Sequence, residues 1–93
     1  MGKKKTLLEK VKENPNNVKF NELTNLAEIA GYIFRNANGG HKIYVHPNLE
    51  TTAGKIMNFQ PDKNNHKLAK AYQVRQLINS IDENDLIKEK NEN

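Results

Sequence analysis

Hydrophobic residues recur with helical spacing in two long segments of the chain. We predict one helix from an N-cap at Asn21 to an end at Gly31, since glycine readily takes the conformation in which helices stop. A second helix is predicted from about Ala69 to Ser80 or Ile81, because its apolar residues fall on one face. The apolar positions are Leu23, Leu26, Ala27 and Ala30 in the first helix, with Ile29 beside them, and Val74, Leu77, Ile78 and Ile81 in the second.

A shorter helix is predicted before these two, over residues 3 to 13. Thr6 and Glu9 have the spacing of a capping box, and Pro15 prevents the helix from continuing. Its apolar residues at helical spacing are Leu7, Leu8 and Val11.

Between the long helices, three segments rich in β-branched and aromatic residues predict strands. Asn38-Gly39 is a strong hairpin sequence, and Pro47 and Pro61 each end a strand. The order α-β-β-β-α predicts an α+β fold of two layers, with a three-stranded antiparallel sheet, helices on one face and the other face open. The predicted strands are residues 32–37, 41–46 and 56–60, with a loop at 48–55.

A two-residue loop at Asn38-Gly39 would fix which residues face the helices. It places Asn36 opposite His41, Phe34 opposite Ile43 and Tyr32 opposite Val45, on the helix side of the sheet. The exposed face would then mix basic and aromatic residues, as surfaces that bind nucleic acids do. A three-residue loop would instead change which side chains face the helices. The residues predicted on that exposed face are Ile33, Arg35, Lys42, Tyr44 and His46.

Composition limits the classes of protein that remain. The chain has 93 residues, 35% of them hydrophobic, so we expect a single small domain with a modest core. It has no cysteine, which excludes disulfides and thiolate zinc sites and is compatible with a reducing cytoplasm, where we expect the protein to be. No apolar run approaches the roughly 20 residues that span a bilayer, so we expect no membrane association.

The charge is uneven along the chain. The net charge is +4, but residues 1–81 hold 13 basic and 6 acidic residues, a net charge of +7, and the acidic residues concentrate after Ile81. Such an excess favours a polyanion, since lysines beside phosphates release counterions; a soluble, lysine-rich surface is the equal alternative. Lys63, Lys67 and Lys70 flank the start of the last helix and could grip an RNA backbone or lie on a solvated loop.

The sequence Gly39-Gly40-His41-Lys42 opens the second strand and could support RNA cleavage. The 2′-hydroxyl of RNA can attack the adjacent phosphorus when a base, an acid and cations assist, and no metal is needed. A histidine serves as base or acid, a lysine holds phosphate, and glycines let backbone N–H groups approach the ligand. The alternative is that His41 is an ordinary exposed hairpin residue.

The other histidines are weaker candidates. His41 and His46 face opposite sides of one regular strand, and His66 falls in a loop. Without cysteine, a zinc site is not expected, and we predict no metal and no cofactor.

Three segments in order resemble the HicA toxin family: residues 22–48, "KIMNFQPD" and "KAYQVRQLI". The resemblance covers roughly residues 19–82. It implies a fold like the double-stranded-RNA-binding domain, endoribonuclease activity on mRNA within a type II toxin–antitoxin pair, and a HicB-type antitoxin partner that masks the site. The family's catalytic histidine falls on His41. On this basis we divide the chain into a helical extension (1–18), the HicA-like domain (19–82) and a flexible acidic tail (83–93).

Two residues depart from the family pattern. The serine that precedes the histidine is Gly40 here, and the residue after it, often a second histidine, is Lys42. The predicted RNA-binding residues are Gly39, Gly40, Lys42, Arg35, Lys63, Lys67 and Lys70. Two other functions stay open: a non-catalytic RNA-binding module on the same fold, and a protein-interaction domain that uses the open sheet face. Whether His41 acts as acid or base, and the oligomeric state, also stay open.

Overall fold

A computed structural model describes residues 6–50 and 54–87 of the chain, and within them an α+β fold. The three strands form an antiparallel sheet in the order β1-β2-β3, so the predicted α-β-β-β-α layout, preceded by a short helix, is confirmed. The elements are α1 (Leu7–Glu13), α2 (Phe20–Ile29), β1 (Ile33–Asn38), β2 (His41–Val45), β3 (Ile56–Phe59) and α3 (Ala71–Glu83).

The ends of α1 and α2 show which local signals hold. At α1 the capping box is present, with Glu9 N–H donating to Thr6 Oγ1 over 3.1 Å and Thr6 N–H donating to Glu9 Oε1 over 3.0 Å. The predicted N-cap Asn21 is wrong, because α2 is capped by Lys19, which is held extended in a bridge with Leu68. Gly31 follows the helix with φ +101°, as predicted for its end.

One hydrophobic core joins the helices to one face of the sheet. Tyr44, Met57 and Phe59 supply the sheet side of this core, each less than 5% exposed. On the other face, Ile33 and Ile56 are 52% and 60% exposed, so the predicted open face is present. The remaining core residues are Leu8, Val11, Val18, Leu23, Leu26, Ala27, Ala30, Tyr32, Ala69, Val74, Leu77 and Ile81.

The hairpin between β1 and β2 has a different register from the one predicted. Asn38 pairs with His41, so the turn is Gly39-Gly40, and Gly39 takes φ +66°, a conformation that glycine adopts without strain. The register shifts again between Phe34 and Asn36, at Arg35. Because side chains alternate across a strand, this shift turns β2 over relative to the prediction.

The face assignments of β2 are therefore wrong. Tyr44 and His46 are buried, at 3% and 4% exposed, instead of lying on an open nucleic-acid surface, and Lys42 shares their side of the sheet. Phe34 lies opposite Tyr44 on the helix side, as predicted, with 5.5 Å between the ring centroids, but it is 46% exposed. Burial, and then the negative charge of Glu28, raise the pKa of the Tyr44 phenol. Tyr44 thus belongs to the core and not to a binding surface.

His46 connects the end of α2 to β2. Its Nδ1 accepts a hydrogen bond from Asn48 N–H over 3.1 Å, so its Nε2–H donates to the carbonyl of Ala30 over 3.0 Å. The imidazole also packs edge-on against Tyr32, with 5.0 Å between ring centroids. Both nitrogens are therefore used in holding the fold.

The segments assigned outside the HicA-like domain also contact the core. Leu8 and Val11 of α1 are buried in it, and Lys12 forms an ion pair with Asp82 over 3.0 Å. Leu86 and Ile87, within the predicted acidic tail, are partly buried against it. Residues 3–5 of the predicted first helix, 51–53 of the predicted loop and 88–93 of the predicted tail lie outside the described residues. Within the described ranges, no helix combines the length and apolar character needed to cross a membrane.

Candidate active site

His41 lies at the first position of β2, directly after the glycine turn, and is partly buried. Pairing of β2 with β3 sets Ile43 opposite Asn58, and this brings the end of β3 beside the imidazole. The Nδ1 atom of His41 lies 3.1 Å from Oδ1 of Asn58 and 2.9 Å from Nε2 of Gln60. The amide of Asn58 on β3 and the amide of Gln60, just after β3, therefore contact the same ring nitrogen.

These two contacts require different proton positions on His41. The amide oxygen of Asn58 can only accept, so it binds a protonated Nδ1, whereas the amide nitrogen of Gln60 can only donate, so it binds a bare Nδ1. A neutral imidazole that accepts a proton at Nε2 carries its own proton on Nδ1. The same holds for the neutral imidazole that remains after Nε2 has donated a proton. Asn58 thus favours the productive form of His41, and Gln60 opposes it.

Gln60 is held in place by two further contacts. Lys70 Nζ donates to Gln60 Oε1 over 2.5 Å, which leaves the amide nitrogen directed at His41. The Gln60 backbone N–H donates to Oε1 of Gln73 over 2.8 Å, and Gln73 is buried on α3. An anion that draws Lys70 away would free the Gln60 amide to rotate and release Nδ1.

A cavity of about 430 Å³ opens beside His41, with several basic side chains around it. Its lining contains two lysines and two histidines and no carboxylate, so the chemistry of the cavity suits an anion. The lining residues are Gly40, His41, Gln60, Pro61, Lys63, His66 and Lys70.

A second recess, of about 390 Å³, also borders His41. It is lined by Gly39, Gly40, His41, Ile43 and Asn58. Gly40 and His41 line both spaces, so His41 borders a basic cavity as well as a recess with an apolar side chain and an amide. This arrangement can hold a phosphate in the first space and a flat polar group, such as a nucleobase, in the second.

The structure brings together some of the residues predicted from sequence. Lys63 and Lys70 line the basic cavity with His41 and Gly40, and Gly39 lines the second recess. Three others line neither space: Arg35, Lys42 and Lys67.

Each of these three is exposed, in a different place. Arg35 lies at the irregularity of β1. The ammonium of Lys42 is 5.8 Å from the ring centroid of Phe20, on the helix side of the sheet. Lys67 contributes its backbone carbonyl, which accepts from Phe20 N–H over 2.8 Å. Their predicted contacts with RNA would need a substrate that extends beyond the cavity.

Sequence reasoning missed the amides of Asn58, Gln60 and Gln73. Each lies far from His41 along the chain, and strand pairing and helix packing bring them together. His66, rated weak from sequence, lines the same cavity as His41. Among the described residues, no cluster of three or more histidine, aspartate or glutamate side chains is placed to hold a metal ion. Comparisons of the chain with protein-family models, with curated proteins and with solved structures give no match.

Proposed function

We propose that this protein is a HicA-like endoribonuclease, the toxin of a type II toxin–antitoxin pair, which cleaves mRNA in the cytoplasm and so inhibits translation. The observation that carries the proposal is the position of His41, whose Nδ1 has amide partners and whose ring borders a cavity with Lys63 and Lys70. The ordered resemblance of three segments to the HicA family supports the same function.

The chemistry requires only groups that this chain holds. A base removes the proton of the ribose 2′-hydroxyl, O2′ bonds to phosphorus, and the P–O5′ bond breaks as an acid protonates O5′. The products of this step are a 2′,3′-cyclic phosphate and a 5′-hydroxyl. Lys63 and Lys70, which line the cavity with His41, would offset the charge of the phosphorane, and His41 would supply one of the two proton transfers.

A HicB-type antitoxin would silence such an enzyme most simply by covering the basic cavity. An acidic surface would be steered toward Lys63 and Lys70 and would compete with RNA for them. Tyr44 cannot serve as an anchor for this partner, because it is buried.

The second candidate function is RNA binding without cleavage, on the same fold. Gly40 in place of the family serine favours it, because the hydroxyl next to the histidine is missing. Binding and cleavage are separated by incubating the purified protein with end-labelled RNA in EDTA and identifying the product ends.

The decisive variant is His41→Ala. We expect cleavage to fall by about 10²–10⁴-fold, the usual contribution of one acid or base, while RNA affinity and the circular dichroism spectrum stay unchanged. Asn64→Ala, at an exposed position of the 61–69 loop, is the matched control and should cleave like the wild type. Cleavage by His41→Ala within about threefold of wild type, well short of that range, would contradict the proposal.

A further inference from the structure

His66 shares the basic cavity with His41 but has no role in the function proposed above. It is exposed, and it lies on the loop between β3 and α3, lining the same cavity as Lys63 and Lys70. A reaction that needs both a base and an acid cannot take both from a single imidazole within one step. A second proton-transfer residue must be held in a fixed position, and in the case of His66 the loop must provide this.

The loop is closed and braced by backbone hydrogen bonds. Pro61 and Ala69 form a bridge across its base, and Asp62 N–H donates to the Leu68 carbonyl over 2.8 Å. The bridge and this hydrogen bond fix both ends of the loop, just before α3 begins. The loop is therefore joined to the same strand end that carries Gln60.

Side chains also fix the interior of the loop. Asp62 Oδ1 accepts from Asn64 N–H over 2.9 Å, and Asn65 Oδ1 accepts from Lys67 N–H over 3.0 Å. Leu68 N–H also donates to the Asn65 carbonyl over 2.9 Å. The first of these turns precedes His66, and the bonds accepted by Asn65 span it, so its backbone is restricted. A restricted backbone keeps a catalytic side chain near its working position.

We propose that His66 is the second proton-transfer residue of this site, paired with His41 across the phosphate held by Lys63 and Lys70. In the first step one histidine takes the 2′-hydroxyl proton as O2′ bonds to phosphorus, and the other gives a proton to O5′ as P–O5′ breaks. In the second step the roles reverse. The oxygen of a water molecule bonds to phosphorus as the water loses a proton to the deprotonated histidine. P–O2′ breaks, O2′ receives a proton from the protonated histidine, and a 3′-phosphate is left. The inference rests on the proposed ribonuclease function.

Kinetics provides the first test. With RNA in EDTA, His66→Asn should slow cleavage by about 10²–10⁴-fold, as His41→Asn should. Asn64→Ala keeps the backbone N–H that Asp62 binds, and it should cleave at the wild-type rate. If the wild type and Asn64→Ala cleave, His41→Asn does not, and His66→Asn stays within about threefold of wild type, the pairing is wrong while the ribonuclease function stands. If the wild type cleaves no RNA, both fail.

A substrate that needs no acid separates a chemical role from a structural one. With uridine 3′-(4-nitrophenyl phosphate), the nitrophenolate leaves without a proton, so the acid becomes dispensable. Exactly one of the two asparagine variants should then approach the wild-type rate. If both variants remain equally slow, the pairing is overturned.

A binding measurement tests the pairing without any cleavage. Titration of the wild-type protein with uridine 3′-monophosphate should shift the imidazole NMR signals of both His41 and His66. The signal of His46 should not move, since this residue is buried away from the cavity. A shift confined to His41, or to neither histidine, would overturn the inference.

Discussion

His41, at the start of β2, and His46, just after its end, differ in what their protons can do. His46 has backbone partners on both nitrogens, so its proton stays on Nε2 unless the fold gives up a hydrogen bond. His41 has only side-chain amides at Nδ1, and amides can rotate. Proton exchange at His41 therefore costs a side-chain rearrangement, whereas at His46 it would cost part of the structure. This difference, and not the residue type, makes His41 the better candidate for catalysis.

The Gln60 contact makes a prediction about the tautomer of His41. In the free protein at a pH where imidazoles are neutral, ¹⁵N NMR should find Nδ1 of His41 unprotonated, because Lys70 holds the Gln60 amide nitrogen against it. In Gln60→Leu, the proton should move to Nδ1, where only Asn58 remains to accept it. His46 is an internal control that should keep its proton on Nε2 in both proteins. The same His41 tautomer in both would disprove the role of Gln60.

Gly40 makes a second prediction at this scale. A Cβ added there would lie 4.0 Å from the Pro61 side chain, an ordinary contact, so Gly40→Ser should fold normally. If a hydroxyl at this position orients the histidine or the phosphate, cleavage should rise by up to about fivefold, the worth of one hydrogen bond of about 1 kcal/mol. Gly40→Ala adds the Cβ without the hydroxyl and is the control. Equal rates for the serine and alanine variants would assign the serine no chemical role here.

At the level of elements, the helices and strands follow from local pattern, but the hairpin register does not. Asn38-Gly39 and Gly39-Gly40 are both good turn sequences, and the observed turn pairs Asn36 with Ile43 instead of His41, which by itself keeps the facing of β2. The one-residue register shift at Arg35 reverses every side chain of β2 relative to the start of β1. The start of α2 is likewise decided from a distance, by the bridge between Lys19 and Leu68. The local sequence pattern therefore predicts which helices and strands form. Contacts between these elements decide where they begin and end and which side chains they bury.

The same limit applies to the candidate site. His41 could be predicted because the glycine turn beside it is a local feature. Asn58, Gln60 and Gln73 could not, since polar side chains on a short strand and a helix have no local signature. These amides reach the site only when β3 pairs with β2 and α3 packs against the sheet.

The junction of α2 and β1 yields a stability prediction. Gly31 has φ +101°, and a Cβ there would lie 2.7 Å from His46 Nε2, so Gly31→Ala would strain the backbone and push His46 from the Ala30 carbonyl. We expect a loss of about 2–4 kcal/mol in the free energy of unfolding, measured by urea denaturation. Gly39→Ala, also at positive φ but with nothing within 4 Å of its Cβ, should lose only about 1–2 kcal/mol. Equal losses would show that contact with His46 is not the cause.

For the whole molecule, the placement of positive charge matters more than its amount. Of the cations predicted from sequence to bind RNA, Lys63 and Lys70 border the same cavity as His41, while Lys42 and Lys67 are exposed elsewhere. A general attraction to polyanions would use all of them alike, since long-range fields depend on total charge. Binding of one phosphate in the cavity would depend on Lys63 and Lys70 alone.

Salt dependence distinguishes these two possibilities. In a His41→Ala background, which prevents cleavage, log affinity for single-stranded RNA should fall linearly with log salt, by about 0.7 for each phosphate contact. Replacing Lys63 and Lys70 together by glutamine should reduce the slope by about 1.4, since two contacts are lost. The matched pair, Lys42→Gln with Lys67→Gln, removes the same charge and should leave the slope nearly unchanged. If both pairs flatten the slope equally, RNA follows the overall charge of the protein, and the cavity beside His41 is not where its phosphate binds.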